Sequence, residues 1–160
     1  MWREIKIVES KDLDQVSALL DIEREAFGEK AWNLEMIKSE FQKHNNVILL
    51  LRNDQSEIGY VLMRRILDEG ELLRIAIRPA FQKMGYGKYL LESLFKKAKS
   101  QRIRKIYLEV SEKNIGAVRL YQKVGFQKMG LRKHYYGLNE SAYIMVYPLK
   151  EEEKDDQNSH

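Results

Sequence analysis

Three groups of residues in this chain have types and spacing suited to chemistry. The first is Gln82, Gly85 and Gly87, a Q-x-x-G-x-G run flanked by Lys83 and Lys88, between a strand pattern and a helix pattern. Helix starts leave backbone N–H groups unpaired and carry partial positive charge, so they accept phosphates. A glycine inside a helix costs roughly 1 kcal/mol relative to alanine. Two of them where a helix should open call for an offsetting gain, such as close approach of a bulky anion. The plain alternative is a flexible helix entry with no ligand. Two better-known phosphate loops fit badly. A P-loop would need Ser or Thr after Lys88, where Tyr89 stands, and the dinucleotide fingerprint would need a third glycine at Leu90.

The second is Glu109 in KIYLEV. Alternation sends Ile106, Leu108 and Val110 one way and Tyr107 and Glu109 the other. A strand inside a β-α-β unit is usually covered on both faces, and a carboxylate is costly to bury, so Glu109 is expected to face a wet, functional cleft. A solvent-facing glutamate near a strand end is the competing reading. The third is Tyr121, which shares a helical face with Ala117, Leu120 and Val124; by pattern alone it reads as a core residue. Tyr135 and Tyr136 read as packing elements and His134 as a surface histidine. With three histidines and no cysteine, no metal site is expected, and a cysteine nucleophile is excluded.

The elements that must position these groups follow from periodicity. A strand is expected over 3–8. Asp12 caps a helix reaching Phe27, with Val16, Leu19, Leu20, Ile22 and Phe27 on its apolar face. Asn33 caps a second helix to Gln42, with Leu34, Ile37 and Phe41 inward. Strands at 47–53, 57–67 and 71–78 are separated by turns at 53–56 and 68–70. A helix is expected over 85–101, a strand over 105–110, a helix from Asn114 to Gly125, and two closing strands. The order β-α-α-β-β-β-α-β-α-β-β predicts an α/β (α+β) fold: a mixed, mostly antiparallel seven-stranded sheet with about four helices on its faces.

The chain has 160 residues, suited to one domain over 1–150 and an acidic tail over 151–160 expected to be disordered. Residues 1–150 carry 27 basic and 19 acidic residues, net +8, which favours anionic partners. The basic residues are spread out, and no aromatic-basic interleaving suggests nucleic acid. The apolar runs are too short to span a bilayer, and the charged N-terminus is no secretory signal.

Q-x-x-G-x-G after I-A-I-R-P resembles the acyl-CoA loop of the GNAT superfamily of N-acetyltransferases. IYLEVSEKNIGAVRLYQKVGF and LRKHYYGLNESAYIMVYPL are similar to its next strand, helix and closing hairpin. The likeness covers roughly residues 71–149. Within the superfamily it is greatest to the protein N-terminal acetyltransferases of the ribosomal-protein alanine (RimI) type. It implies an acyl-CoA N-acyltransferase fold with acetyl-CoA as donor substrate and no metal. It implies a pyrophosphate site on the backbone of Gln82, Lys83, Met84, Gly85, Tyr86, Gly87 and Lys88. It implies a pantetheine arm lying along Ile75, Ala76 and Ile77, where the sheet splays, with an oxyanion donor near Ile77 and a further hydrogen bond from Asn114. Glu109 would be the base and Tyr121 the acid. Phe27, Trp32, Tyr135 and Tyr136 would hold the acceptor, a protein or peptide N-terminus that includes ribosomal proteins. A lysine side chain or small amine is the alternative acceptor, and a non-catalytic acyl-CoA sensor the alternative role. The setting implied is a cytoplasmic monomer or weak homodimer, away from membranes and nucleic acid. Two departures stand out: the proline usual between Phe27 and Trp32 is missing, and Ser141 stands where an acidic residue is common.

Overall fold

The structure, a computed structural model, describes residues 6–9, 15–137 and 139–149. Asp12 and the acidic tail lie outside the described residues, as does the side chain of Tyr136. The elements run β1 (Lys6–Glu9), α1 (Val16–Phe27), α2 (Leu34–Phe41), β2 (Asn46–Arg52), β3 (Glu57–Ile66), β4 (Glu69–Ile77), α3 (Tyr86–Ser100), β5 (Lys105–Ser111), α4 (Ile115–Val124), β6 (Gln127–Gly137) and β7 (Glu140–Pro148). One seven-stranded sheet has the order β1-β2-β3-β4-β5-β7-β6. All its pairings are antiparallel except β4 with β5. None of the helices among the described residues is long and apolar enough to cross a membrane.

The sheet has a core on each face. Val47, Leu49 and Leu51 of β2 pack on the side of α3 and α4, with Leu90, Leu91, Leu94, Phe95, Val118 and Tyr121. Ile48 and Leu50 pack on the other side, with Val16, Leu19 and Ile22 of α1 and Ile37 of α2. Burial on both faces is why β2 reads as the unbroken apolar run VILLL. The sequence expectation for α2 needs one change: Leu34 is exposed, and Ile37 alone of that helix is buried.

The caps behave as the residue types dictate. Asn33 accepts from the Met36 amide at 2.9 Å and Asn114 from the Ala117 amide at 3.2 Å. Helix α4 ends at Gly125, and the following Phe126 is buried and returns its amide to the Tyr121 carbonyl at 2.9 Å. The β3–β4 turn falls at Leu67 and Asp68 rather than at 68–70, because β4 already pairs from Glu69, and Leu67 takes the positive φ of 57°.

The sheet opens between β4 and β5. Parallel pairing covers Glu69, Gly70 and Glu71 against Lys105, Ile106 and Tyr107, and then stops. Just beyond, β4 carries an extra residue: Met63 pairs with Leu72 and Leu62 with Arg74, leaving Leu73 without a partner on β3. A bulge bends its strand, and here it turns β4 away from β5. The departing end of β4 is held by Gly59 on β3, where an added Cβ would lie 2.4 Å from the Ala76 carbonyl oxygen. Gly59→Ala should therefore cost about 1–3 kcal/mol of stability, the usual range for overpacking. A urea midpoint equal to wild type would contradict that contact.

Candidate active site

The backbone along the opening has a definite polarity. Arg78 donates its amide to Ile58 of β3 at 2.9 Å. Residues two apart on a strand face the same edge, so Ala76 also turns its backbone toward β3, and Ile75 and Ile77 turn theirs toward the gap. The Gln82 side chain fits this: its Nε2 donates to the Ile77 carbonyl at 2.8 Å. Gln82 thus braces the loop on β4 and leaves the Ile77 N–H as the donor at that position.

The loop leads into α3. Gly85 is the N-cap and lies outside the helix, with φ 88°, and no side chain caps the first turn. Of the two glycines, only Gly87 is helical, so the expected helix penalty applies to one position. Lys83 also has positive φ, at 62°. Alternating left- and right-handed residues aim successive N–H groups into one concavity, a shape suited to anions. A Cβ on Gly85 would meet nothing within 4 Å, whereas one on Gly87 would lie 3.1 Å from Leu120 of α4. Gly87 therefore also serves packing, bringing α3 down on α4 beside Tyr121. Met84 is exposed, Tyr86 packs edge-on against Phe81, and Lys88 lies 3.8 Å from Glu92.

Glu109 stands where alternation puts it. Ile106, Leu108 and Val110 are buried beneath α3 and α4, and Glu109 faces the other side, 27% exposed. It lines a cavity of about 260 Å³ with Glu69, Glu71, Tyr107, Arg132 and Ile144. Its Oε1 lies 3.3 Å from Arg132 Nε, and the Tyr135 hydroxyl donates to it. That hydrogen bond, with the nearby carboxylate charge, raises the Tyr135 pKa above the usual tyrosine value. Tyr135 gets there through an irregularity in β6. Arg132 pairs with Ala142 and Gly137 with Glu140, so residues 133–136 stand opposite Ser141 alone. His134 in this bulge is exposed, has φ 59°, and its amide donates to Ser141 Oγ at 3.3 Å. Ser141 thus fastens the bulge.

Tyr121 is 9% exposed, edge-on to Phe126, and belongs to the core on the α3–α4 side. Glu109 and Tyr121 therefore approach from opposite faces of the sheet. Only an opening in the sheet lets both reach one bound molecule. Asn114 spends its carboxamide oxygen on the α4 cap.

Phe27 and Trp32 lie on another wall. Both flank Arg74, whose guanidinium carbon is 4.0 Å and 5.0 Å from their ring centroids. Arg74 in turn grips the fully buried Glu23, with Nη2 to Oε1 at 2.7 Å. Glu23 also accepts from the Tyr60 hydroxyl at 2.6 Å and the Trp32 amide at 2.8 Å. Burial, and then the charge of Glu23, push the Tyr60 pKa far up, so its hydroxyl stays a donor. Sequence reasoning missed Arg74 and Tyr60. The available signal was a charged residue in the middle of each apolar pattern, Glu23 in α1 and Arg74 in β4.

Residues 16–126 match the Acetyltransferase (GNAT) family. The chain belongs to that family. It is 35% identical over 119 residues to the [Ribosomal protein bS18]-alanine N-acetyltransferase of Haemophilus influenzae, spanning 72% of this chain and 80% of that protein. It is 28% identical over 159 residues to an N-alpha-acetyltransferase of Sulfolobus acidocaldarius, spanning 91% and 92%. Its fold superimposes on the crystal structure of the ribosomal-protein-S18-alanine N-acetyltransferase from Escherichia coli with a TM-score of 0.85 at 26% identity, over 95% and 98% of the two chains.

The Glu109–Tyr135 bond makes a prediction. In Glu109→Gln, the Tyr135 ring should titrate at lower pH than in wild type, since the neutral amide no longer favours the protonated phenol. NMR of labelled tyrosine would read this, and an unchanged titration would remove Tyr135 from the site.

Proposed function

We propose that this chain transfers the acetyl group of acetyl-CoA to the α-amino group of a protein N-terminus, with a ribosomal protein among the acceptors. The observation that carries this is Glu109, on the wall of the sheet opening, with Tyr135 reaching over it from the β6 bulge. The names of the relatives support it: the acceptor is a ribosomal-protein alanine in one and an alpha-amine in the other.

The residues present fit acetyl-CoA as donor substrate. The gap-facing amide and carbonyl of Ile75 and the Ile77 amide suit pairing with an amide-bearing arm, as a neighbouring strand would. The uncapped first turn of α3 and the open space at Gly85 suit a pyrophosphate. Lys83 and Lys88 add positive charge beside it.

The chemistry then falls to three groups. An α-ammonium has pKa about 8, so near neutrality it needs only modest help to lose a proton. Glu109, held by Arg132, takes that proton directly or through a water, and the amine replaces the Tyr135 hydroxyl as its partner. The amine nitrogen attacks the thioester carbon, the Ile77 N–H stabilises the resulting oxyanion, and the nitrogen gives up its second proton to water before the intermediate collapses to the amide. As the C–S bond breaks, the Tyr121 hydroxyl, a proton donor, protonates the departing thiolate. Tyr135, with Tyr136 beside it in sequence, and Phe27 and Trp32 form the two sides between which the acceptor enters. Such an enzyme works in the cytoplasm, where acetyl-CoA and newly made chains meet.

Coenzyme A release with two peptide pools tests the acceptor. One pool has free N-termini and no lysine; the other has blocked N-termini and internal lysines. Turnover with the first alone is expected, and turnover with the second alone would move the acceptor to lysine. Glu109→Gln should lower kcat by about 100-fold or more, the usual contribution of a general base, with acetyl-CoA affinity unchanged. Equal loss of turnover and donor binding would contradict the base assignment.

A further inference from the structure

We propose that Arg74, locked by the buried Glu23, is the positioning residue that fixes the acceptor side of the site, so that losing its planar fork weakens acceptor binding and leaves donor binding intact. This rests on the acetyl-transfer reading above.

The geometry is specific. Glu23 Oε1 takes Arg74 Nη2 at 2.7 Å and the Trp32 amide at 2.8 Å; Oε2 takes Arg74 Nε at 3.1 Å and the Tyr60 hydroxyl at 2.6 Å. Arg74 Nη2 also donates to the Lys30 carbonyl at 3.1 Å. One guanidinium thus touches Phe27, Lys30 and Trp32, the ends and middle of the segment joining α1 to α2. That segment lies on the sheet face toward which Glu109 points. Arg74 itself follows the β4 bulge, where the sheet opens. The segment therefore stands on the same sheet face as Glu109, over the end of β4 that has parted from β5, and the Tyr135 bulge reaches that face from β6.

Holding α1 and α2 on the sheet does not require this ion pair. Val16, Leu19, Ile22 and Ile37 already pack against Ile48, Leu50, Leu62 and Ala76. A buried pair replaced by apolar residues of similar volume often costs nothing in stability. What the pair adds is direction: a bidentate fork and two stacked rings admit one placement of the segment. Lysine keeps the charge but has neither fork nor plane.

The test compares Arg74→Lys and the charge-balanced double variant Glu23→Gln/Arg74→Met with wild type. The measurements are acetyl-CoA Kd by calorimetry, acceptor KM, kcat and Tm. Both variants should raise acceptor KM by about ten-fold while acetyl-CoA Kd stays within about two-fold, a split that a general loss of folding does not produce. The double variant, with no charge left unpaired, should keep a Tm near wild type. Unchanged acceptor KM in both variants would overturn the proposal, as would donor Kd and acceptor KM rising together. If wild type acetylates only lysines or small amines, the α-amino reading fails, and Arg74 is judged by the same split on that acceptor.

Discussion

Parallel pairing between β4 and β5 holds for three residue pairs and then ends. The site depends on that ending. A closed sheet would leave Glu109 and Tyr121 on opposite faces with a wall of backbone between them. It would also spend the Ile75 and Ile77 amides on β5. The opening is local: β4 stays paired with β3 on both sides of Leu73, and β5 with β7. The extra residue at Leu73 bends one strand away, and Gly59 lets its far end sit close on β3. The molecule keeps a continuous core on the α3–α4 side beneath a sheet that is split above it.

Local chemistry in the sequence carried much of this. Asn33, Asn114 and Gly125 mark helix ends because their side chains or backbone freedom meet needs created within a few residues. Alternation in KIYLEV sets the direction of Glu109, since a strand has only two faces. The order of strands and helices follows from periods of two and 3.6. The family likeness supplied the splay, which no spacing rule gives, and the role proposed above for the loop.

What stayed hidden depends on contacts between distant segments. Glu23 and Arg74 are 51 residues apart, and neither has a local partner that announces the other. The bulges at Leu73 and over 133–136 are matters of register, visible only once two strands are laid side by side. Gly85 and Gly87 look alike in the sequence. One takes a left-handed backbone at the helix cap, and the other makes room for Leu120. Phe27 and Trp32 read as acceptor contacts by resemblance; their ring faces meet Arg74, so any contact with the acceptor falls to their remaining surface.

The central claim is that the open edge of β4 is the donor-binding edge. Residue-resolved amide hydrogen exchange, with and without acetyl-CoA, tests it most directly. The Ile75 and Ile77 amides should gain protection on binding, while the Ala76 amide, already turned to β3, should exchange slowly in both states. Acetyl-CoA binding that left Ile75 and Ile77 unprotected, or protected all three alike, would contradict it.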